Sequence, residues 1–238
     1  MCGRYTLTRQ EGLVEDLEAA LGESAQGEWW RPRFNVAPTQ PAPVVILRDG
    51  QRRIELMRWG LIPHWGGRPG SKPPLMINAR VESLEDKPMF RDALGRRRCL
   101  VPADGFFEWK KLGGGKRPLK QPVYLHPQPP RLFAFAGLWA RARTDDGEQL
   151  SFTIITGPAN DLVAPIHDRM PVVLDPSTYA AWLDPSLDAA GAHALLGVPP
   201  VGDWIGEPVS PRVNSAQIDD PTCITPLPDE EPVQVTLF

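Results

Sequence analysis

Cys2 has the most chemistry to offer in this 238-residue chain, because of where it stands. Methionine aminopeptidases accept a small second side chain, and cysteine qualifies, so loss of Met1 is expected. The new terminus then carries an α-amine and a thiol on one residue. An α-amine of pKa ~8 is partly neutral at physiological pH, whereas a lysine ammonium at ~10.4 is not. The neutral amine can attack an aldehyde to give an imine, and the thiol can close on the imine carbon to give a five-membered thiazolidine. Closure is intramolecular, so the thiol acts at high effective concentration and the adduct is hard to reverse. Met-Cys starts also arise by chance, and alone Cys2 reads as an ordinary residue at a frayed terminus. Cys99 and Cys223 have no free amine beside them and cannot replace it. Cys99 reads as a small buried residue on a strand and Cys223 as incidental.

Other chemistry-bearing patterns are excluded one by one. GGGKRP at 113–118 lacks the spacing of a phosphate-cradling Walker loop, and no GxSxG or HExxH occurs. His64, His126, His167 and His193 are scattered without ligand spacing, and the three cysteines show no CxxC, so neither zinc nor a disulfide framework is expected. That cysteine usage suits a reducing compartment. The start lacks the apolar run of a signal peptide, and no stretch approaches the ~18 apolar residues of a membrane span, so a cytoplasmic protein is expected. The formal charge of −3 hides an asymmetry: residues 1–120 hold 21 Lys+Arg against 14 Asp+Glu, and residues 121–238 hold 5 against 15. A basic working surface on an acidic remainder follows. Arg96–Arg98 reads either as a phosphate patch or, more commonly for a charge run, as a solvated face.

The 28 Pro and 21 Gly argue for many short elements joined by fixed turns, against a helical bundle. Strands are predicted at 2–7, 44–48, 53–59, 99–102, 105–111, 123–125, 132–138, 152–156 and 170–174. Asp49-Gly50 forms a hairpin turn between the second and third of these. Helices are predicted at 8–21, with Thr8 and Glu11 as a capping box, at 83–96 interrupted by Pro88, and at 161–166, 177–183 and 187–196. The Pro- and Gly-rich loop before Met76 is long enough to suspect function. Short strands mixed irregularly with helices predict an α+β fold with mainly antiparallel pairing. The last ~20 residues, rich in Pro and acids, read as a strap or tail.

Four separated segments then add to Cys2: MCGRY at the start, MINARVES at 76–83, RCLVPADGFFEWK at 98–110 and PIHDRMPVVL at 165–174. In this order they resemble the SOS response-associated peptidase (SRAP) family, the abasic-site DNA–protein cross-linking proteins, over residues 2 to about 226. The resemblance implies one domain at 1–226, its antiparallel sheets forming a barrel-like core with peripheral helices, and an acidic tail at 227–238. It implies that Cys2 joins covalently to the ring-opened aldehyde of an abasic site in single-stranded DNA. Asn78 resembles the asparagine that holds the amine and opened sugar, Glu108 the general acid/base, and His167 the histidine that assists ring opening; Asp168, its neighbour in sequence, could orient it, although adjacency does not ensure a hydrogen bond. Without the family, Asn78 reads as a turn residue, Glu108 as an outward strand residue and His167 as a structural histidine.

Arg4, Arg80, Arg91 and Arg169 resemble the family's phosphate contacts. Trp65 and Trp109 offer faces on which bases stack without sequence readout. Asn35, Pro38, Met89 and Phe90 resemble the shelf and wedge that meet a junction of single and double strands. Gln234, Leu237 and Phe238 resemble a short sliding-clamp peptide; the competing reading is an edge strand or packed strap. No cofactor, metal or membrane partner is implied. A monomer is expected, in the cytoplasm and nucleoid-associated when on DNA. Two other classes stay open at this point: an N-terminal-nucleophile peptidase whose act is removal of Met1, and a DNA-binding scaffold without chemistry.

Overall fold

Turn chemistry and apolar alternation fold the chain into two sheets, one of which closes on itself. The computed structural model describes residues 2–9, 12–26, 31–63, 75–113, 118–144, 147–197, 202–228 and, as backbone, 233–237. In chain order the strands are β1 (Tyr5–Leu7), β2 (Ala20–Leu21), β3 (Arg33–Val36), β4 (Pro41–Arg48), β5 (Gln51–Trp59), β6 (Asn78–Arg80), β7 (Arg98–Ala103) and β8 (Gly105–Leu112). They continue as β9 (Leu119–Gln128), β10 (Phe133–Thr144), β11 (Gly147–Pro158), β12 (Arg169–Pro171), β13 (Val173–Leu174), β14 (Gly202–Pro208) and β15 (Val233–Leu237). The helices are α1 (Leu13–Asp16), α2 (Pro88–Arg96), α3 (Tyr179–Leu183) and α4 (Ala189–Leu195).

One sheet runs β12-β11-β10-β7-β4-β5-β2, and a parallel pairing of β11 with β5 closes five of its strands into a mixed barrel. The other runs β15-β14-β9-β8-β1-β3. The expected α+β class, antiparallel pairing and barrel-like core are all present. The core between the sheets is aromatic: the Tyr5 ring meets Trp59 edge-on at 5.3 Å and Phe135 at 5.9 Å, and Phe106 meets Phe135 at 6.0 Å. None of the described helices is long and apolar enough to cross a membrane.

Asp49 and Gly50, both at positive φ, make the predicted hairpin turn between β4 and β5. Pro88 opens α2 instead of interrupting a longer helix, because a first-turn residue needs no N–H donor. Three helical predictions are corrected. The span 8–21 holds only the single turn α1, since Glu18 at φ 49° leaves the helical region and Ala20–Leu21 pairs with β5. Thr8 does not cap that turn; its N–H and hydroxyl both donate to Asp104, at 2.6 Å each, and Glu11 lies outside the described residues. Residues 161–166 form successive turns, and the strand predicted at 170–174 splits into β12 and β13. The Arg96–Arg98 run is not a phosphate patch. Arg97 pairs with Asp92, and buried Arg98 donates to the carbonyls of Trp182, Leu94, Asp184 and Leu187.

After β14 the chain returns as a strap, residues 209–227, pinned onto β3. Asp219 accepts the N–H groups of Phe34 at 2.6 Å and Asn35 at 2.8 Å and pairs with Arg33. Cys223 is not incidental: with Val209 and Val213 it forms the buried side of this strap, packed with Phe107 and Tyr124. Asn35 is fully buried, and its side-chain amide is shared among the carbonyls of Val213 (3.2 Å), Ser215 (2.9 Å) and Ile218 (2.7 Å). It ties strap to sheet and offers no surface to DNA. Phe90, 1% exposed, likewise sits in the core. At the chain's end, β15 pairs with β14 in the register Ile205↔Gln234 and Gly202↔Leu237, so this segment is the edge strand; Phe238 lies outside the described residues. Binding a clamp through it requires β15 to leave β14.

Asn35→Ala is therefore expected to cost about 2–3 kcal/mol of unfolding free energy in a urea titration, because it strands buried carbonyls. A change within about 0.5 kcal/mol, the usual size for an exposed position, would return Asn35 to the surface.

Candidate active site

The start of the chain is held more firmly than most termini. β1 lies between β3 and β8, with Tyr5 opposite both Val36 and Phe106. Asp104, 4% exposed, gathers the residues that follow: it accepts from the Thr6 hydroxyl at 2.5 Å, from Thr8 twice, and from the Arg9 N–H at 3.0 Å. The Tyr124 hydroxyl joins this cluster at 3.0 Å from the Thr6 hydroxyl. Its ring lies where a Cβ on Gly105 would have to be, so only glycine lets β8 begin there. Three residues ahead of β1, Cys2 has no exposed surface.

Around Cys2 the structure gathers the other three residues singled out in the sequence. Asn78, at the start of β6, donates its side-chain amide to the Cys2 carbonyl at 2.9 Å. β6 can reach this point because it pairs in parallel with β11, Asn78 opposite Ile154 and Arg80 opposite Thr156. Glu108 comes from β8, 1% exposed, and its charge acts on the Cys2 thiol. His167 stands just before β12, half-buried, with Nδ1 2.9 Å from Asp168 Oδ1 and accepting the Arg169 N–H at 3.0 Å. Those two neighbours ask for opposite proton states. Burial holds the imidazole below its ordinary pKa, with Asp168 opposing, so the neutral form accepting at Nδ1 is the one that fits.

Burial pushes the Glu108 carboxyl up to about 7, with Asp168 adding to the rise and the positive chain terminus pulling it back. At neutral pH it is therefore present both as an acid and as a base. Burial, reinforced by Glu108, pushes the Cys2 thiol well above its usual range, so it is held as S–H and not as thiolate. Several buried polar atoms here have no hydrogen-bond partner among the described residues: Asn78 Oδ1, Thr156 Oγ1, Arg169 Nε and Arg4 Nε. Unsatisfied buried groups are rare, and the Asn78 side chain that carries one already reaches the Cys2 carbonyl, which suits a polar ligand there.

The candidate DNA contacts are found in different settings. Arg80 and Arg91 are exposed, Met89 and Pro38 half-buried, and Trp65 lies outside the described residues. Arg169 is forked onto the Glu82 carboxylate and also donates to the Thr156 carbonyl at 2.6 Å; the same pairing holds the Glu82 carboxyl below its usual range. Arg4 donates to the carbonyls of Gly3 at 2.9 Å and Asn214 at 3.3 Å. The Asn214 side-chain oxygen accepts the Trp109 indole N–H at 2.7 Å. Asn214 thus braces both the Arg4 guanidinium and the Trp109 indole, which is half-buried against the cluster of Phe107 and Tyr124. The sequence held no sign of this, nor of Glu82 or Thr156, since each partner lies far away along the chain.

Because the folded protein binds the Glu108 proton more tightly than the unfolded chain does, the associated stability is complete below pH 4.5 and lost as pH rises through about 7. Glu108→Gln removes this titration. Between pH 5 and 8 the variant should gain about 2 kcal/mol on the native protein in urea unfolding. A difference constant with pH would mean that the carboxyl titrates as an exposed glutamate.

Residues 1–216 match the family model described as SOS response associated peptidase (SRAP). The Bacillus subtilis (strain 168) protein named abasic site processing protein YoqW is 39% identical over 231 residues, covering 94% of this chain and 99% of the relative. The Escherichia coli (strain K12) abasic site processing protein YedK is 32% identical over 234 residues, covering 95% and 100%. A crystal structure of a protein from Bacteroides thetaiotaomicron superposes with a TM-score of 0.81 at 25% identity, over 95% of this chain and all of that one. With a model and relatives matching most of its length, the chain belongs to the SRAP family.

Proposed function

We propose that this protein captures abasic sites in single-stranded DNA as a covalent thiazolidine on Cys2, after loss of Met1. The observation that carries the reading is the convergence of Asn78, Glu108 and His167 on the first residues of the chain, with the Asn78 amide on the Cys2 carbonyl. The names of the relatives, abasic site processing proteins, supply the lesion.

The state of each group suggests an order of events. The freed α-amine attacks the aldehyde of the opened sugar, because the thiol is held protonated and is the weaker nucleophile. Glu108 in its acid form gives a proton to the carbinol hydroxyl, which leaves as water, and an iminium remains. The thiol sulfur then bonds to the iminium carbon, its proton passes to the Glu108 carboxylate, and the C=N electron pair returns to nitrogen. Aldehyde, amine and thiol become thiazolidine and one water, and Glu108 ends as it began. Run backwards, the same steps release the DNA slowly. Asn78 orients the amine through the Cys2 backbone, and neutral His167, its Nδ1 taken by the Arg169 N–H, offers its Nε2–H to the sugar ring oxygen as the ring opens. Arg4, Arg80, Arg91 and Arg169 hold phosphates, and Trp109 stacks a base beside the lesion. A peptidase acting through a Cys2 thiolate is disfavoured by the burial that keeps the thiol protonated.

Incubation with single-stranded DNA carrying one abasic site should give a shifted band on a denaturing gel. Cys2→Ala should abolish it. Glu108→Gln should slow its appearance by about 10²-fold or more while intact-strand affinity is kept. A band that persists in Cys2→Ala would remove the N-terminal nucleophile, and no band with the native protein would leave a binding scaffold.

A further inference from the structure

The β8–β9 hairpin runs on past the sheet that holds Glu108. β14 pairs β9 only from Val123 onward, and β1 pairs β8 only at Gly105 and Phe106. Val209, just after β14, still donates to the Pro122 carbonyl at 3.0 Å and accepts from the Gln121 side chain at 2.8 Å, and from Lys111 outward the register Lys111↔Lys120 and Leu112↔Leu119 belongs to a ribbon with no third strand among the described residues. Such a ribbon gains little stability from its own packing. Its composition serves solubility and folding poorly. Lys111 and Lys120 face each other directly, a like-charge pair that costs stability. Lys110, Lys111 and Lys120 are exposed and have no carboxylate partner among the described residues. At the end, Leu112 and Leu119 form an apolar pair 44% and 78% exposed.

We propose that this outer ribbon, Lys110–Leu112 with Leu119 and Lys120, is an arm that grips the DNA strand running away from the lesion. Alternation along β8 puts Lys111 on the face of Trp109, with Lys120 beside it across the ribbon, so the base-stacking face leads directly onto two paired cations. A phosphate between Lys111 and Lys120 turns their repulsion into attraction, while the same alternation puts Lys110 and the leucine pair on the opposite face, the one that carries Glu108, where they offer a cation and apolar surface. The rise of a strand sets Leu112 about 13 Å beyond Glu108, adjacent to the site and outside it. Lys111 is also close enough for its charge to act on His167. The occupant is a phosphodiester chain and not an acidic protein, because the ribbon is the outward continuation of the strand that carries the proposed acid. The inference deepens the reading of the site as a DNA site and rests on it.

The test is equilibrium binding of intact single strands, about 20 and about 5 nucleotides long, to the native protein and to Lys110→Ala/Lys111→Ala/Lys120→Ala over a range of salt. For the long strand the slope of log affinity against log salt should become shallower by about 2, from three phosphate contacts at ~0.7 each. The short strand should bind both proteins alike, and a short abasic strand should still cross-link to both. Arg141→Ala/Arg143→Ala, near the outer end of β10, removes two positive charges away from the ribbon and should leave the slope unchanged. An unaltered slope in the triple variant, or an equal change in the control, would overturn the arm. Absence of any cross-link in the native protein would instead overturn the chemistry, and the slopes would still decide the arm.

Discussion

The site depends on a chain start that cannot fray. First residues usually lack neighbours, yet here Asp104 collects four hydrogen bonds from Thr6, Thr8 and Arg9, and β1 is paired on both sides. A nucleophile built on the α-amine has no side-chain torsions of its own with which to be aimed. Backbone order is its only source of position, and preorganised position is where such chemistry gains most of its rate. Asp104 and Glu108 stand four residues apart on one run of chain, so the group that fixes the terminus also fixes the acid beside it.

Burial then does two jobs with one physical cause. Desolvation lifts the Glu108 carboxyl into the neutral range and keeps the Cys2 thiol protonated. A carboxyl in this state can both give and take a proton within one cycle, and in the proposed reaction a protonated thiol leaves the first attack to the amine. The cost is a set of buried polar atoms without partners, on Asn78, Thr156, Arg4 and Arg169. That cost is sustainable where, as proposed, a sugar and its phosphates bind.

Much of this was legible in the sequence, and the part that was not has a common reason. Asp49-Gly50, the apolar runs of β4 and β5, and β7, β8, β10 and β11 follow from local turn chemistry and apolar patterning. Cys2, Asn78, Glu108 and His167 were found through motif resemblance, and the fold brings them together. Asn35 and Phe90 carry the right residue types for a surface role but lie inside, because the strap at 209–227 and the packing of α2 cover them; neither cover is visible from the local sequence. The helix expected at 8–21 failed for the same reason. Thr8 was assigned to a cap when its hydroxyl serves Asp104, nearly a hundred residues away. Arg98 resembles a solvated cation until α3 and the turn after it supply carbonyls.

The central claim concerns bonding at one residue, and it is tested most directly on the purified adduct. Its mass should equal protein without Met1 plus abasic DNA less one water. After digestion, the Cys2 peptide should resist both thiol alkylation and borohydride reduction, since amine and sulfur are joined in one ring. An adduct that is reduced by borohydride and whose Cys2 thiol still alkylates would be an open imine, and one that retains Met1 would contradict the account outright.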